Sequence, residues 1–278
     1  MLPVNGKHIK KSSIVRKSIA ILTILFLSTN LFSQTMTVEQ IEIDLHNTYS
    51  KLVSYRFGDS IEWDSIEKEN KIFNKKIRMY TSTYLQTLTF KFDSLLKDNI
   101  YIVSSEDRFL RIFSWDTWMG GTMHYFNNIF QYKSDENVLS KFCDSDSDGP
   151  SCFYSQLFTL KAKGKIYYIA ISNTIGSTKD ASQSIKILTI ENQLLNDTAK
   201  IIKTNNGYVN SIDVYFDSYS VIDRPERPVR LIEYDSDNEI IYIPIVNEDG
   251  SVTDKYNLYE FTGQYFEHIA SQKSKQNE

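Results

Sequence analysis

The chain has two cysteines, Cys143 and Cys152, and the stretch between them reads Asp-Ser-Asp-Ser-Asp-Gly-Pro-Ser. In an oxidising compartment neither thiol has another partner in the chain, so the expectation is a Cys143–Cys152 disulfide. Closing so short a loop removes on the order of 2 to 3 kcal/mol of unfolded-state entropy, so the bridge would pin a loop more than hold a fold. Inside it, Asp144, Asp146 and Asp148 alternate. Carboxylates at alternate positions converge on one hard cation, and Gly149 permits the sharp turn this needs, which makes the three aspartates candidate calcium ligands. The same residue types also build an ordinary solvated turn, here an exposed connection between Tyr132 and Phe153.

A second group, Trp115, Trp118, Met119, His124 and Tyr125, surrounds Gly120-Gly121. Aromatic faces beside a flexible turn stack on a sugar ring or a partner peptide, and Trp115, Trp118 and His124 are the ligand-binding candidates. The competing assignment sends alternate members into the core, where large aromatics usually go. Enzymatic signatures are sparse. His46, His124 and His268 lack metal-ligand spacing. There is no Gly-x-Ser-x-Gly elbow, no phosphate loop and no His-Glu-x-x-His pair. Two carboxylates such as Asp107 and Asp116 suffice in principle to hydrolyse a glycosidic bond. Among so many acids, however, spacing singles out no pair, and no catalytic residue is assigned.

The compartment decides how these residues are read. Lys7, Lys10, Lys11, Arg16 and Lys17 precede an apolar run from Ser18 to Phe32, followed by a cleavage point near Ser33-Gln34. That order is a secretory signal peptide over residues 1–34, and the apolar core falls short of the roughly 20 residues a spanning helix needs. The expectation is export to the periplasm or the extracellular space, with no transmembrane segment after cleavage. The whole chain carries 31 Lys plus Arg against 35 Asp plus Glu, and losing the basic leader leaves the remainder distinctly acidic. Such a balance argues against a nucleic-acid partner, whose phosphates demand basic groups.

The elements that must position these groups change character once. Ile41, Leu45, Tyr49 and Leu52 recur at helical spacing behind a Thr37-Val-Glu-Gln40 capping box, predicting a helix over 37–55. A second helix is expected over 61–81 and a short turn near Phe90 to Leu96. From Ile100 the period becomes two, and strands are expected over 100–103, 109–115, 122–132, 154–162, 165–173, 184–192, 201–204, 209–217, 229–234, 239–246, 255–262 and 265–269. Lys163-Gly164, Asp237-Asn238 and Thr262-Gly263 are the hairpin turns. The fold class is α+β: N-terminal helices over 35–98, then a large antiparallel β meander over 99–270 (sandwich, open barrel or propeller-like), then a disordered tail over 271–278.

Three resemblances accompany these readings. Asp144 to Gly149 is similar to the first half of an EF-hand calcium loop, with Pro150 still able to offer its carbonyl. Ser155 stands where that family places a bidentate Glu, and the flanks read as strands, which implies calcium affinity weakened toward ~0.1 to 1 mM or lost. Ser105-Glu-Asp107, Leu110-Arg-Ile112, Trp115-Asp116-Thr117 and Gly120-Gly121 resemble the end of a WD-repeat propeller blade, interrupted by Phe113-Ser114. The one other Trp-Asp, Trp63-Asp64, falls in the second helical stretch and carries no blade signature, although a propeller repeats its signature every ~40 residues. Ser114-Trp-Asp-Thr117 with Gly120-Gly-Thr-Met-His124 also resembles exported bacterial proteins of unassigned function. Together these readings point to a non-catalytic binding or interaction protein of the cell envelope, its envelope or extracellular ligand unspecified. The alternative is an envelope hydrolase acting on glycans or peptides.

Overall fold

A computed structural model describes Met1 and residues 36–143 and 151–273 of the chain. The signal segment and the acidic loop of Asp144, Asp146 and Asp148 therefore lie outside the described residues. Among the described residues two long helices come first, α1 (Val38–Phe57) and α2 (Trp63–Thr83), then a 3-10 turn (Leu85–Leu88) and a short α3 (Asp93–Lys97). Ile41, Leu45, Tyr49 and Leu52 of α1 are fully buried, as their spacing predicts, and so are Ile66, Phe73 and Ile77 of α2.

Among the described residues fifteen strands follow in three sheets. The first is a meander of β1 (Tyr101–Ser104), β2 (Leu110–Asp116), β3 (Phe126–Ser134) and β4 (Asn137–Cys143). The second runs in the order β11 (Ser211–Asp217), β7 (Asp180–Glu191), β6 (Lys165–Ile175), β5 (Cys152–Ala162), with β8 (Leu194–Asn196) also on β7. The third is β10 (Gly207–Val209), β9 (Ile202–Thr204), β15 (Phe266–Lys273), β14 (Val252–Phe261), β13 (Ile240–Val246), β12 (Glu233–Asp235). Among the described residues the sheets do not close into a barrel.

The layers stack on shared cores. Leu110, Ile112 and Phe130 of the first sheet pack with Leu157, Tyr168 and Leu188 of the second. Ile169, Ile185 and Ile187, on the opposite face of that second sheet, pack with Ile202, Ile241 and Phe266 of the third. The helices cover the remaining face of the first sheet, through Phe73 on Trp115 and Phe92 on Phe113. Strand β2 is consequently buried on both faces along its whole length. Its apolar side chains Leu110, Ile112, Phe113 and Trp115 are all fully buried, each contributing roughly 1.5 to 3 kcal/mol. Even Arg111 is buried there; it donates to Ser104 Oγ and to the Thr87 and Phe90 carbonyls, and burial lowers its pKa to about 10.

Several expectations are corrected. The connection expected between Tyr132 and Phe153 holds β4 and the start of β5, so Cys143 and Cys152 terminate strands of two different sheets. Strand β4 escaped notice because Lys141 and Ser140 interrupt its alternation. The strand expected from Thr122 starts only at Phe126. Of 229–234 only the end is strand; Gln183 satisfies that backbone instead, accepting from the Leu231 and Ile232 amides at 3.0 Å each. The arrangement departs from a plain meander, because β15 pairs in parallel with β9 and β11 returns to β7. The positive φ of the second expected hairpin falls on Glu239, one residue beyond Asp237-Asn238. Strand β15 runs on to Lys273, into the expected tail.

Candidate functional site

The site grows from the loop that joins β2 to β3. Thr117 closes it twice onto the Tyr125 carbonyl, from its amide at 2.8 Å and its hydroxyl at 2.9 Å. Asn70 of α2 donates to the Thr117 carbonyl at 2.6 Å, tying the loop to the helices. Gly120 is obligatory, because a Cβ there would sit 1.9 Å from the Met123 carbonyl oxygen. Trp118 adopts a left-handed backbone (φ 56°), a conformation that costs a non-glycine residue about 1 to 3 kcal/mol unless neighbours hold it.

Asp116 is that neighbour. One carboxylate oxygen accepts from the Trp118 amide at 2.8 Å and the other lies 2.5 Å from His124 Nδ1. An ionised carboxylate can only accept, so Nδ1 carries a proton, and in the neutral imidazole Nε2 is then an acceptor. Among the described residues Nε2 has no hydrogen-bond partner. Tyr49 of α1 reaches in, donating to the Asp116 carbonyl at 3.0 Å and accepting from Trp118 Nε1 at 3.0 Å. Burial first, and Asp116 second, push the Tyr49 hydroxyl pKa well up, so it stays a donor. Tyr101, stacked on Phe153 at 4.0 Å, is raised by the same two causes in the same order.

Outward from this network lies an aromatic face. Trp118 meets Phe57 edge-on at 4.9 Å and His124 at 6.0 Å. The Arg56 guanidinium lies 5.8 Å from the Phe57 ring and 5.3 Å from that of Trp63, and donates to the Gly120 carbonyl at 3.2 Å. Its Nε is buried with no partner among the described residues. Phe57 is 63% exposed and Trp63 44%, an unusual investment of large rings at a surface. A groove of about 360 Å³, lined by Asn70, Thr117, Met119 and Tyr125 among others, runs beside the loop.

Of the residues singled out in the sequence, Trp118 and His124 are brought together by Asp116. Trp115 is not with them: it is fully buried, 5.1 Å from Phe73 and 6.4 Å from Phe142, and offers no face to a ligand. Cys143 and Cys152 are free thiols in the structure, and burial is the main cause raising the pKa of each. Asn128, the cross-strand neighbour of Cys143, donates to the Cys152 carbonyl at 3.0 Å. Asp107 does not meet the Asp116–His124 pair; it accepts from Ser105 and Tyr168. Sequence reasoning missed Tyr49, Arg56, Phe57 and Trp63. Phe57 and Trp63 left a signal, being large apolar residues off the buried stripe at facing helix ends; the Arg56 pairing left none. A second such pair, His46 Nδ1 and Asp98 Oδ2 at 2.6 Å, was also missed. Among the described residues no group of three His, Cys, Asp or Glu is placed to hold a metal ion.

Comparison with known proteins finds no matching family model and no similar curated protein. No helix among the described residues is long and apolar enough to cross a membrane.

Proposed function

We propose that this protein is an exported, non-catalytic binding protein of the cell envelope that engages a partner through the face formed by Trp63, Arg56, Phe57 and Trp118. The observation that carries the reading is the exposure of Phe57 and Trp63 on either side of an arginine whose Nε has no partner among the described residues. Tryptophan and arginine dominate binding energetics because they bring large contact area at low entropy cost, and a pre-formed stack loses little freedom on association. Asp116, Tyr49 and Asn70 supply that rigidity from beneath. Export rests on the basic start and apolar run at the N-terminus, with the acidic balance of the rest in keeping. The bridge between Cys143 and Cys152 and calcium on Asp144, Asp146 and Asp148 belong to the same reading and are testable on their own.

The test is a photo-crosslinking residue in place of Phe57, in cells that make the protein. A discrete adduct that Trp118→Ala removes is expected; folded protein with no adduct, or with the same adduct from a probe at exposed Tyr215, would contradict it. The hydrolase alternative draws on one feature, the Asp116–His124 pair with its free Nε2, which is the acid-base half of a hydrolytic site. Turnover of a glycan or peptide substrate lost in His124→Gln would favour that alternative.

A further inference from the structure

Away from the aromatic face, β5, β6, β7 and β11 meet the segment 218–229 around a pocket of about 310 Å³. That volume is at the lower end of ligand pockets, roughly 300 to 1,000 Å³, so it suits a small molecule. Phe153, Ile175, Phe216, Val221 and Val229 supply apolar walls, and Ile222, 59% exposed, forms an apolar rim. The Asn173 amide, which also borders the pocket, is held by the protein itself, accepting from Gln183 at 2.7 Å and donating to Ser155 at 2.7 Å. Gln183 also donates to the Val229 carbonyl, which fixes the outer wall in place.

The single charged lining residue is Arg227. A guanidinium has five N–H donors. Here Nη1 donates to the Arg224 and Glu226 carbonyls, and Nη2 donates to that of Ile222 at 2.9 Å. Three donors are thus held by the loop itself, which orients the group, and Nε–H with one Nη2–H remains. Among the described residues no arginine makes an ion pair, although Arg224, Arg227 and Arg230 fall in one short loop of an otherwise acidic protein. An oriented, unpaired cation at the mouth of an apolar pocket complements an anion with an apolar body, and the planar fork favours a carboxylate.

We infer that this pocket binds a small apolar monocarboxylate, a medium-chain alkanoic or arylalkanoic acid. Its chain lies against Phe153, Ile175, Phe216 and Val229, and its carboxylate sits on Arg227. The site is separate from the aromatic face, so either proposal can fail without the other. The test is isothermal titration of the full mature protein with decanoate, decanol and butyrate. Decanoate binds, decanol binds about tenfold more weakly, and butyrate, too short to fill the pocket, gives no heat. Arg227→Gln, at an exposed position that carries no core packing, brings decanoate down to the level of decanol. Ala181→Phe, which fills the pocket, abolishes both, and Ser182→Phe serves the same end if the first fails to fold. Equal binding of decanoate and decanol, undiminished binding in Arg227→Gln, or decanoate binding that survives a filled pocket would each overturn the inference.

Discussion

Replacing Asp116 by alanine tests the architecture of the site directly. The substitution removes the acceptor for the Trp118 amide at 2.8 Å and the partner of His124 Nδ1 at 2.5 Å. Hydrogen bonds to a charged group are worth about 1.5 to 3 kcal/mol each, and the Trp118 amide would be left unpaired in a strained left-handed turn. The His124 side chain is 27% exposed, so water recovers part of its loss. The expected destabilisation is therefore about 3 kcal/mol, a Tm drop of roughly 6 to 12 °C for a chain of this size. Asp116→Asn keeps an acceptor for Trp118 but offers an amide donor to Nδ1, forcing the proton to Nε2, and should lose about half as much. Urea unfolding of the three proteins at neutral pH is the assay. An alanine variant within about 0.5 kcal/mol of the parent would refute the hub role of Asp116.

Gln183→Leu should be among the costliest substitutions, about 3 kcal/mol by urea unfolding, because it strands the buried Leu231 and Ile232 amides without an acceptor; a neutral effect would mean that water replaces the clamp. At high pH the tyrosines govern stability. Tyr49, Tyr154 and Tyr168 have pKa values raised chiefly by burial, so above about pH 10 the folded state keeps protons that the unfolded chain releases, and stability falls as pH rises. Arg111, lowered to about 10, opposes this in the window up to its ordinary 12.5, but one group against three does not reverse the sign. Tyrosinate absorbance should show a buried set that titrates only as circular dichroism reports unfolding; simple titration of all 18 tyrosines in folded protein would contradict this. Oxidised mature protein should show no titratable thiol, and serine at Cys143 should cost about 2 to 3 kcal/mol relative to it; two free thiols in protein recovered from the envelope would remove the bridge. Several millimolar calcium should raise Tm, with Asp146→Ala abolishing the rise, and an unchanged melting curve would remove calcium.

The helices were legible because their partners are near in sequence: the spacing of Ile41, Leu45, Tyr49 and Leu52 is itself the buried stripe. Most strands, β2 among them, were legible from alternation, although burial of β2 between helices and a second sheet also hides its polar members Arg111, Ser114 and Asp116. What escaped depended on long-range satisfaction of polar groups. Residues 229–232 have the composition of a strand but bond to Gln183, some fifty positions earlier, and no local pattern announces that. The site divides in the same way. Trp118 and His124 stand close to Asp116 in sequence, so their association could be read from the loop, whereas Trp115, one residue before Asp116, points to the opposite face by strand alternation and joins the core. Tyr49, Arg56, Phe57 and Trp63 reach the site only because α1 and α2 lie across the first sheet.

The central claim is that the aromatic face binds a partner and is not merely a rim of the core. Its most direct test is the binding isotherm of the partner captured through position 57, measured for Phe57→Ala and Trp63→Ala beside their melting curves. Both side chains are substantially exposed, so Tm should move by no more than about 2 °C while affinity falls by about tenfold or more. Unchanged affinity, or a loss of affinity that only follows a loss of stability, would contradict the account.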